Sequence, residues 1–157
     1  MKNFVRKANS VYEDRYTIVT GERGDHWPLC VYCGRPAGTR DHVPPVSRVS
    51  DYEALGMKIE VYIKVPACTE CNNLGADELH PSFMDRAEFI KDKLSRKYAR
   101  VLASPDWDDD ELKELGKNLR SKVKAALAKK KPQLERIEYY DGIDAVTDRI
   151  LELYGVE

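Results

Sequence analysis

The chain has 157 residues, room for one ordinary domain with a helical extension, and its 42% hydrophobic and 34% charged shares predict a solvated, helix-rich body. No window approaches the roughly 18 apolar residues that span a bilayer, which excludes a membrane-spanning helix, and the N-terminus lacks the apolar core of a signal peptide, so a cytoplasmic protein with no membrane partner is expected. The net charge of −1 hides segregation: five acids lie between residues 105 and 111, and nine Lys or Arg stand against Glu114 and Glu135 between 113 and 136.

Residues 15–20, RYTIVT, read as a short strand closed by the Gly-rich turn GERG. From Pro28 to Pro81 the chain is dense in Cys, Pro, Gly and Asn, with a second strand-like run at 59–65 leading to Cys68. Helical signals follow. Ser82 and Asp85 form a capping-box-like pair, and Phe83, Ala87, Ile90, Leu94, Tyr98 and Val101 recur at helical spacing, which predicts a helix ending near Ser104–Pro105. A second helix is predicted from about Asp108, with Leu112, Leu115, Leu119, Val123 and Leu127 as its apolar stripe and a last turn in the lysines before Pro132. Ile143, Val146, Ile150, Leu151 and Tyr154 predict a terminal helix closed by Gly155.

All four cysteines fall in two C-x-x-C units, Cys30/Cys33 and Cys68/Cys71, with 34 residues between the units. Each such turn aims two sulfurs at one spot, and four thiolates complete the tetrahedral shell of Zn²⁺, leaving no position for a substrate. The competing readings are two disulfides, disfavoured in a reducing compartment, and a redox motif, which does not account for a matched pair. Gly34 suits the knuckle turn after the first unit, where a positive φ is needed. The connection between the units carries Asp41 and His42, followed by Pro44 and Pro45, and the second unit runs straight into Asn72 and Asn73.

C-x-x-C, then D-H-x-x-P, then C-x-x-C-N, in this order from Cys30 to Asn73, resembles the zinc-braced branch of the HNH endonuclease family. The resemblance implies an α+β protein: a zinc-stapled ββα-metal, treble-clef-like core within residues 1–81, followed by a helical extension over 82–157 packed on it. It implies metal-dependent hydrolysis of DNA to 5′-phosphate and 3′-hydroxyl ends, with His42 as general base and with Asp41 and Asn72 as ligands of a catalytic Mg²⁺ or Mn²⁺ distinct from the zinc. These residue types suit the chemistry, since a neutral imidazole can take a proton from water and a hard cation on oxygen donors neutralises charge on the phosphate. Pro44 and Pro45 lead to the expectation that the strand stops just beyond Asp41 and His42 so that both side chains reach one site.

Two family positions differ. No Asn stands between Val61 and Cys68 to brace the His-bearing segment, so another residue must do so, and Gly75 stands where a Lys is often found. Arg35, Arg40 and Arg48 flank the motif as candidate phosphate contacts, and Lys117, Arg120, Lys124 and Lys131 recur along one helical face suited to a DNA duplex. The same basic run also fits a merely solvated face, and the helices fit a homodimer interface as well as DNA contact. His80 is a candidate for the metal or phosphate, Asn73 for a helix cap, and Asp77 and Glu78 for solvation, while His26 is expected to pack. The alternative function is a non-catalytic zinc module that binds nucleic acid or a protein partner.

Overall fold

The computed structural model of the chain describes residues 11–20, 28–80 and 82–155. The GERG turn and His26 lie outside them. The architecture is α+β, with a small three-stranded sheet and mostly helices. Strand β1 (Thr17–Ile18) runs parallel to β3 (Ile63–Ala67), which pairs antiparallel with β2 (Thr39–Val43), so β3 is central. The two predicted strands thus shift: the first shrinks to two residues, and the second starts and ends later than 59–65. Pro66 accounts for part of this. A proline cannot donate to a neighbouring strand, and the short β1 pairs only with Ile63 and Lys64, leaving the Pro66 carbonyl to accept from Val31 N instead.

A single 3₁₀ turn at Val46–Arg48 leads into helix α1 (Val49–Ala54), and α2 (Thr69–Gly75) starts directly after β3. Helix α3 (Phe83–Lys97) begins as expected, with the Ser82 hydroxyl accepting from Asp85 N and buries Phe83, Ala87, Ile90 and Leu94. It stops at Tyr98, whose hydroxyl is engaged by Glu70 on α2, and resumes only as the short α4 (Ala99–Leu102). Asp108 and Glu111 close a reciprocal capping box on α5 (Asp109–Lys113). The single long helix expected from Asp108 is therefore two, because the chain breaks before Gly116 and restarts as α6 (Lys117–Glu138).

Helix α6 does not stop at Pro132 but passes through it. An internal proline removes one backbone bond and crowds the preceding turn, and here the helix is pinned on both sides: Lys130 donates to the Ser104 carbonyl and Asp106, and Arg136 pairs with Glu70. Leu119, expected in the apolar stripe, is 53% exposed. Helix α7 (Asp141–Tyr154) ends at Gly155, which adopts φ 68° in the left-handed region.

One apolar cluster unites these parts. It joins Val31 and Tyr32 of the first cysteine turn, Val43 of β2, Ile63, Val65 and Ala67 of β3, Ala87, Ile90 and Leu94 of α3, and Ile143, Val146 and Ile150 of α7. The start of α7 rests on the first cysteine turn so closely that a Cβ at Gly142 would stand 2.7 Å from the Val31 backbone. Gly142→Ala is accordingly expected to destabilise the fold by about 1–3 kcal/mol, the usual range for overpacking, as measured by urea denaturation.

Candidate functional site

The local fold brings the cysteines together by two routes. Cys30–Cys33 forms a tight turn in which Gly34 N donates to the Cys30 carbonyl and Gly34 takes φ 75°. Cys68 is the N-cap of α2, its sulfur accepting from Cys71 N. The four Sγ atoms lie within 4.8 Å of one another, and all four side chains are buried. The Cys33–Cys68 sulfur separation is 3.7 Å. Tetrahedral zinc with Zn–S bonds of about 2.3 Å has a sulfur–sulfur edge of about 3.8 Å, so the tetrad suits a metal such as zinc. Hydrogen bonds from Cys30 pull Cys68 down to about 6 and Cys33 lower still, while the hydrogen bond with Cys33 pushes Cys30 up and that with Cys30 pushes Cys71 up. Buried cations sit close by. Arg136 Nη2 approaches Cys71 Sγ at 4.0 Å and pairs with Glu70, and Lys91 donates to the carbonyls of Arg136, Ile137 and Tyr139. Burial pushes Lys91 down to about 8.

Asp41 and His42 occupy regular positions inside β2, facing Val65 and Lys64 of β3. The strand ends at Val43, just before Pro44, and within it alternation sends Asp41 inward, at 2% exposure, and His42 to the other face. Asp41 is held by a fork of two bonds from Arg86, Nε to Oδ2 and Nη2 to Oδ1, both 2.7 Å, with Tyr32 donating to Oδ2 at 2.6 Å. Arg86 donates as well to the carbonyls of Gly75, Ala76 and Glu78 at the end of α2. A Cβ at Gly75 would stand 2.7 Å from Arg86 Nη2. Gly75 is therefore where the guanidinium lies, which is why a long side chain is absent there.

His42 lies on the open face. Its Nε2 is 2.9 and 3.2 Å from the two carboxylate oxygens of Glu13, and Lys64 Nζ donates to the same carboxylate at 2.7 Å. Lys64 is the larger influence in holding Glu13 below the usual carboxylate range, with His42 adding to it. The Tyr16 ring meets the imidazole edge-on, centroids 4.9 Å apart. Asn72, on α2, donates its amide to Thr39 Oγ1 and more weakly to the Arg40 carbonyl, tying the helix to the start of β2. Although they leave the strand on opposite faces, Asp41 and His42 line one open cleft of about 340 Å³ with Asn72, Glu13, Arg40, Ser47 and Asp77.

The remaining candidates divide. Arg40 is exposed at the cleft, and Arg48 pairs with Asp51. Lys117, Lys124 and Lys131 are exposed along α6. Arg120 differs from these lysines, its guanidinium donating to the carbonyls of Leu112, Lys113 and Leu115 at the end of α5. His80 packs on Phe89 and lines a separate apolar cavity with Tyr52 and Phe83, away from the His42 cleft. Asn73 sits inside α2 and caps nothing; Cys68 is the cap. Glu13, Lys64, Tyr32 and Arg86 were not legible in the sequence as part of the site. The missing brace between Val61 and Cys68 was the one signal that something else must hold His42.

No family model, curated protein or solved structure matches the chain. The geometry alone yields a test of the Asp41–Arg86 pair. Arg86→Met leaves a buried carboxylate uncompensated and is expected to cost about 3–5 kcal/mol, whereas the Asp41→Asn, Arg86→Met double variant removes both charges and recovers much of that loss in urea denaturation. Equal losses in the two variants would show that the ion pair is not what the site depends on.

Proposed function

We propose that the protein is a zinc-stapled, HNH-like endonuclease that hydrolyses DNA phosphodiester bonds with a catalytic divalent cation. The observation that carries the reading is the cleft shared by Asp41, His42 and Asn72, set against a helix that starts at the second cysteine pair. Zinc in the four-cysteine centre has a structural role, because four thiolates leave it no open position.

The donors at the cleft fit Mg²⁺ or Mn²⁺. Asp41 Oδ1 accepts one hydrogen bond, from Arg86, which leaves it a further lone pair, and the Asn72 amide nitrogen is already engaged, which leaves its oxygen as the donor atom. Two protein oxygens suit a hard cation that keeps several waters and takes the rest of its shell from a phosphate. When bound, that cation neutralises charge on the scissile phosphate and the departing 3′-oxygen. Arg86 already balances the charge of Asp41, so Asp41 would offer such a cation an oxygen rather than an unpaired charge. His42 takes the proton from the attacking water, Arg40 at the cleft edge contacts a phosphate, and Asn72 keeps α2 against β2 while that happens. Lys117, Lys124 and Lys131, seven residues apart, share a face of α6 along which a duplex backbone can lie.

The Asp41–Arg86 fork also favours a second reading, a module on the same zinc-stapled scaffold that binds nucleic acid without cutting it, with an arginine as its resident cation. Supercoiled plasmid incubated with Mg²⁺ or Mn²⁺ separates the two. The nuclease reading expects nicking or linearisation that falls by about 10²–10⁴ in His42→Ala with the fold intact; binding without any cleavage by wild type selects the second reading.

Two further outcomes are expected. Elemental analysis of the purified chain should find one zinc per chain, and folded protein without metal, or with disulfides between the cysteine pairs, refutes the zinc assignment. Replacing Lys117, Lys124 and Lys131 with Gln should flatten the log–log salt dependence of DNA binding by up to about three units, given about 0.9 per phosphate contact. Superimposable slopes would remove this lysine row from the DNA contact.

A further inference from the structure

We propose that Glu13 is the positioning residue for His42: its carboxylate accepts the imidazole Nε2–H, fixing one ring orientation and one tautomer and leaving Nδ1 as the nitrogen with a free lone pair. The catalytic meaning of this brace rests on the nuclease reading, but the brace itself does not.

The tautomer follows from the partner. A carboxylate can only accept, and both of its oxygens lie within hydrogen-bonding reach of one ring nitrogen, at 2.9 and 3.2 Å, so that nitrogen must carry the proton. Among the described residues, no hydrogen bond is made at Nδ1. The carboxylate is itself held. Lys64 Nζ donates to Oε1 at 2.7 Å, and Lys64 is the cross-strand partner of His42 in the β2–β3 register, so the ammonium and the imidazole stand side by side and clasp one carboxylate between them. The third restraint is Tyr16, directly before β1: its ring meets the imidazole edge-on at 79° while its hydroxyl donates to the Pro44 carbonyl just past the end of β2. Glu13 and Tyr16 come from the segment before β1, Lys64 from β3, and His42 from β2. The ring is thus fixed by three parts of the chain.

An exposed ion pair by itself stabilises little, and at 43% exposure Glu13 is not a device for stability. Orientation is what the contact supplies. A base must present its lone pair to the attacking water within a narrow range of angles, and an imidazole free to rotate about χ2 spends much of its time elsewhere. A carboxylate on the far nitrogen removes that freedom and stabilises the imidazolium formed once the proton is taken, the arrangement a general base needs.

The test reads the ring first and turnover second. In ¹⁵N–¹H spectra of the full zinc-loaded chain at about pH 8, where a free imidazole is neutral, wild type is expected to show a downfield, slowly exchanging Nε2–H proton at His42. Glu13→Ala should lose that proton to exchange with water, and Glu13→Gln, whose amide oxygen still accepts, should keep it. Cleavage at saturating DNA should fall roughly tenfold to a hundredfold in Glu13→Ala with KM unchanged, and recover largely in Glu13→Gln. Should Glu13→Ala not fold, Lys64→Met releases Oε1 and should weaken the same proton signal. An Nε2–H signal that is absent from wild type, or as protected in folded Glu13→Ala or Lys64→Met as in wild type, overturns the brace. A protected proton in a wild type that cuts no DNA leaves the brace standing and removes the nuclease reading instead.

Discussion

Four sulfurs drawn within 4.8 Å of one another are the constraint on which the remainder of this small structure hangs. Brought so close in a buried place, they cannot all be thiolates without a cation, and with a divalent ion such as zinc they still leave a surplus of about two negative charges. The chain answers this with charge from elsewhere. Arg136 in the last turn of α6 reaches Cys71, and Lys91 of α3 binds the carbonyls of Arg136 and Ile137 in that turn and of Tyr139 just past it. The helical half is therefore not merely laid against the cysteine centre: it sets a guanidinium 4.0 Å from the Cys71 sulfur, and Tyr139 lies against the knuckle at Gly34.

The second organising feature is strand β2, which serves two environments at once. Its inward side chain, Asp41, is claimed by Arg86 and Tyr32 and ties the strand to α3 and to the end of α2. Its outward side chain, His42, is held by Glu13, which Lys64 clasps in turn, and both side chains border the cleft. Adjacent residues in a strand have no other choice. The consequence is a division of labour within one dipeptide: a carboxylate whose charge is already balanced in the interior, and an imidazole whose surroundings are set by an ion pair near the surface. Arg86 also makes sense of Gly75, since the guanidinium occupies the space that a side chain there would need.

The abundance of Lys and Arg in the C-terminal half has two meanings that charge counting merges. Arg86, Lys91, Lys130 and Arg136 are buried and spent on carbonyls and carboxylates, and Arg120 closes the end of α5. Lys113, Lys117, Lys122, Lys124, Lys129 and Lys131 remain exposed. Long cationic side chains whose stems pack on apolar surface while their heads reach carbonyls act as fasteners between helices. Only the exposed subset is left for a polyanion, which makes the basic face narrower than the net charge of residues 113–136 implies.

What the sequence determined by itself was whatever depends on neighbours a few residues away. The spacing within each C-x-x-C unit, the positive φ at Gly34, the Ser82–Asp85 cap and the end of α7 at Gly155 follow from local geometry, and the structure has each of them. The tertiary structure decided the rest. Arg86 finds Asp41 across 45 residues and Glu13 finds His42 across 29, pairings that leave no periodic trace because they depend on how strands and helices are brought together. The same holds for α6, which overrides Pro132 because Lys130 and Arg136 fasten it on either side of the break that local rules require. It holds for β2 as well: the prolines do end the strand, but its pairing with β3 runs on to Val43, and that register sends Asp41 and His42 to opposite faces.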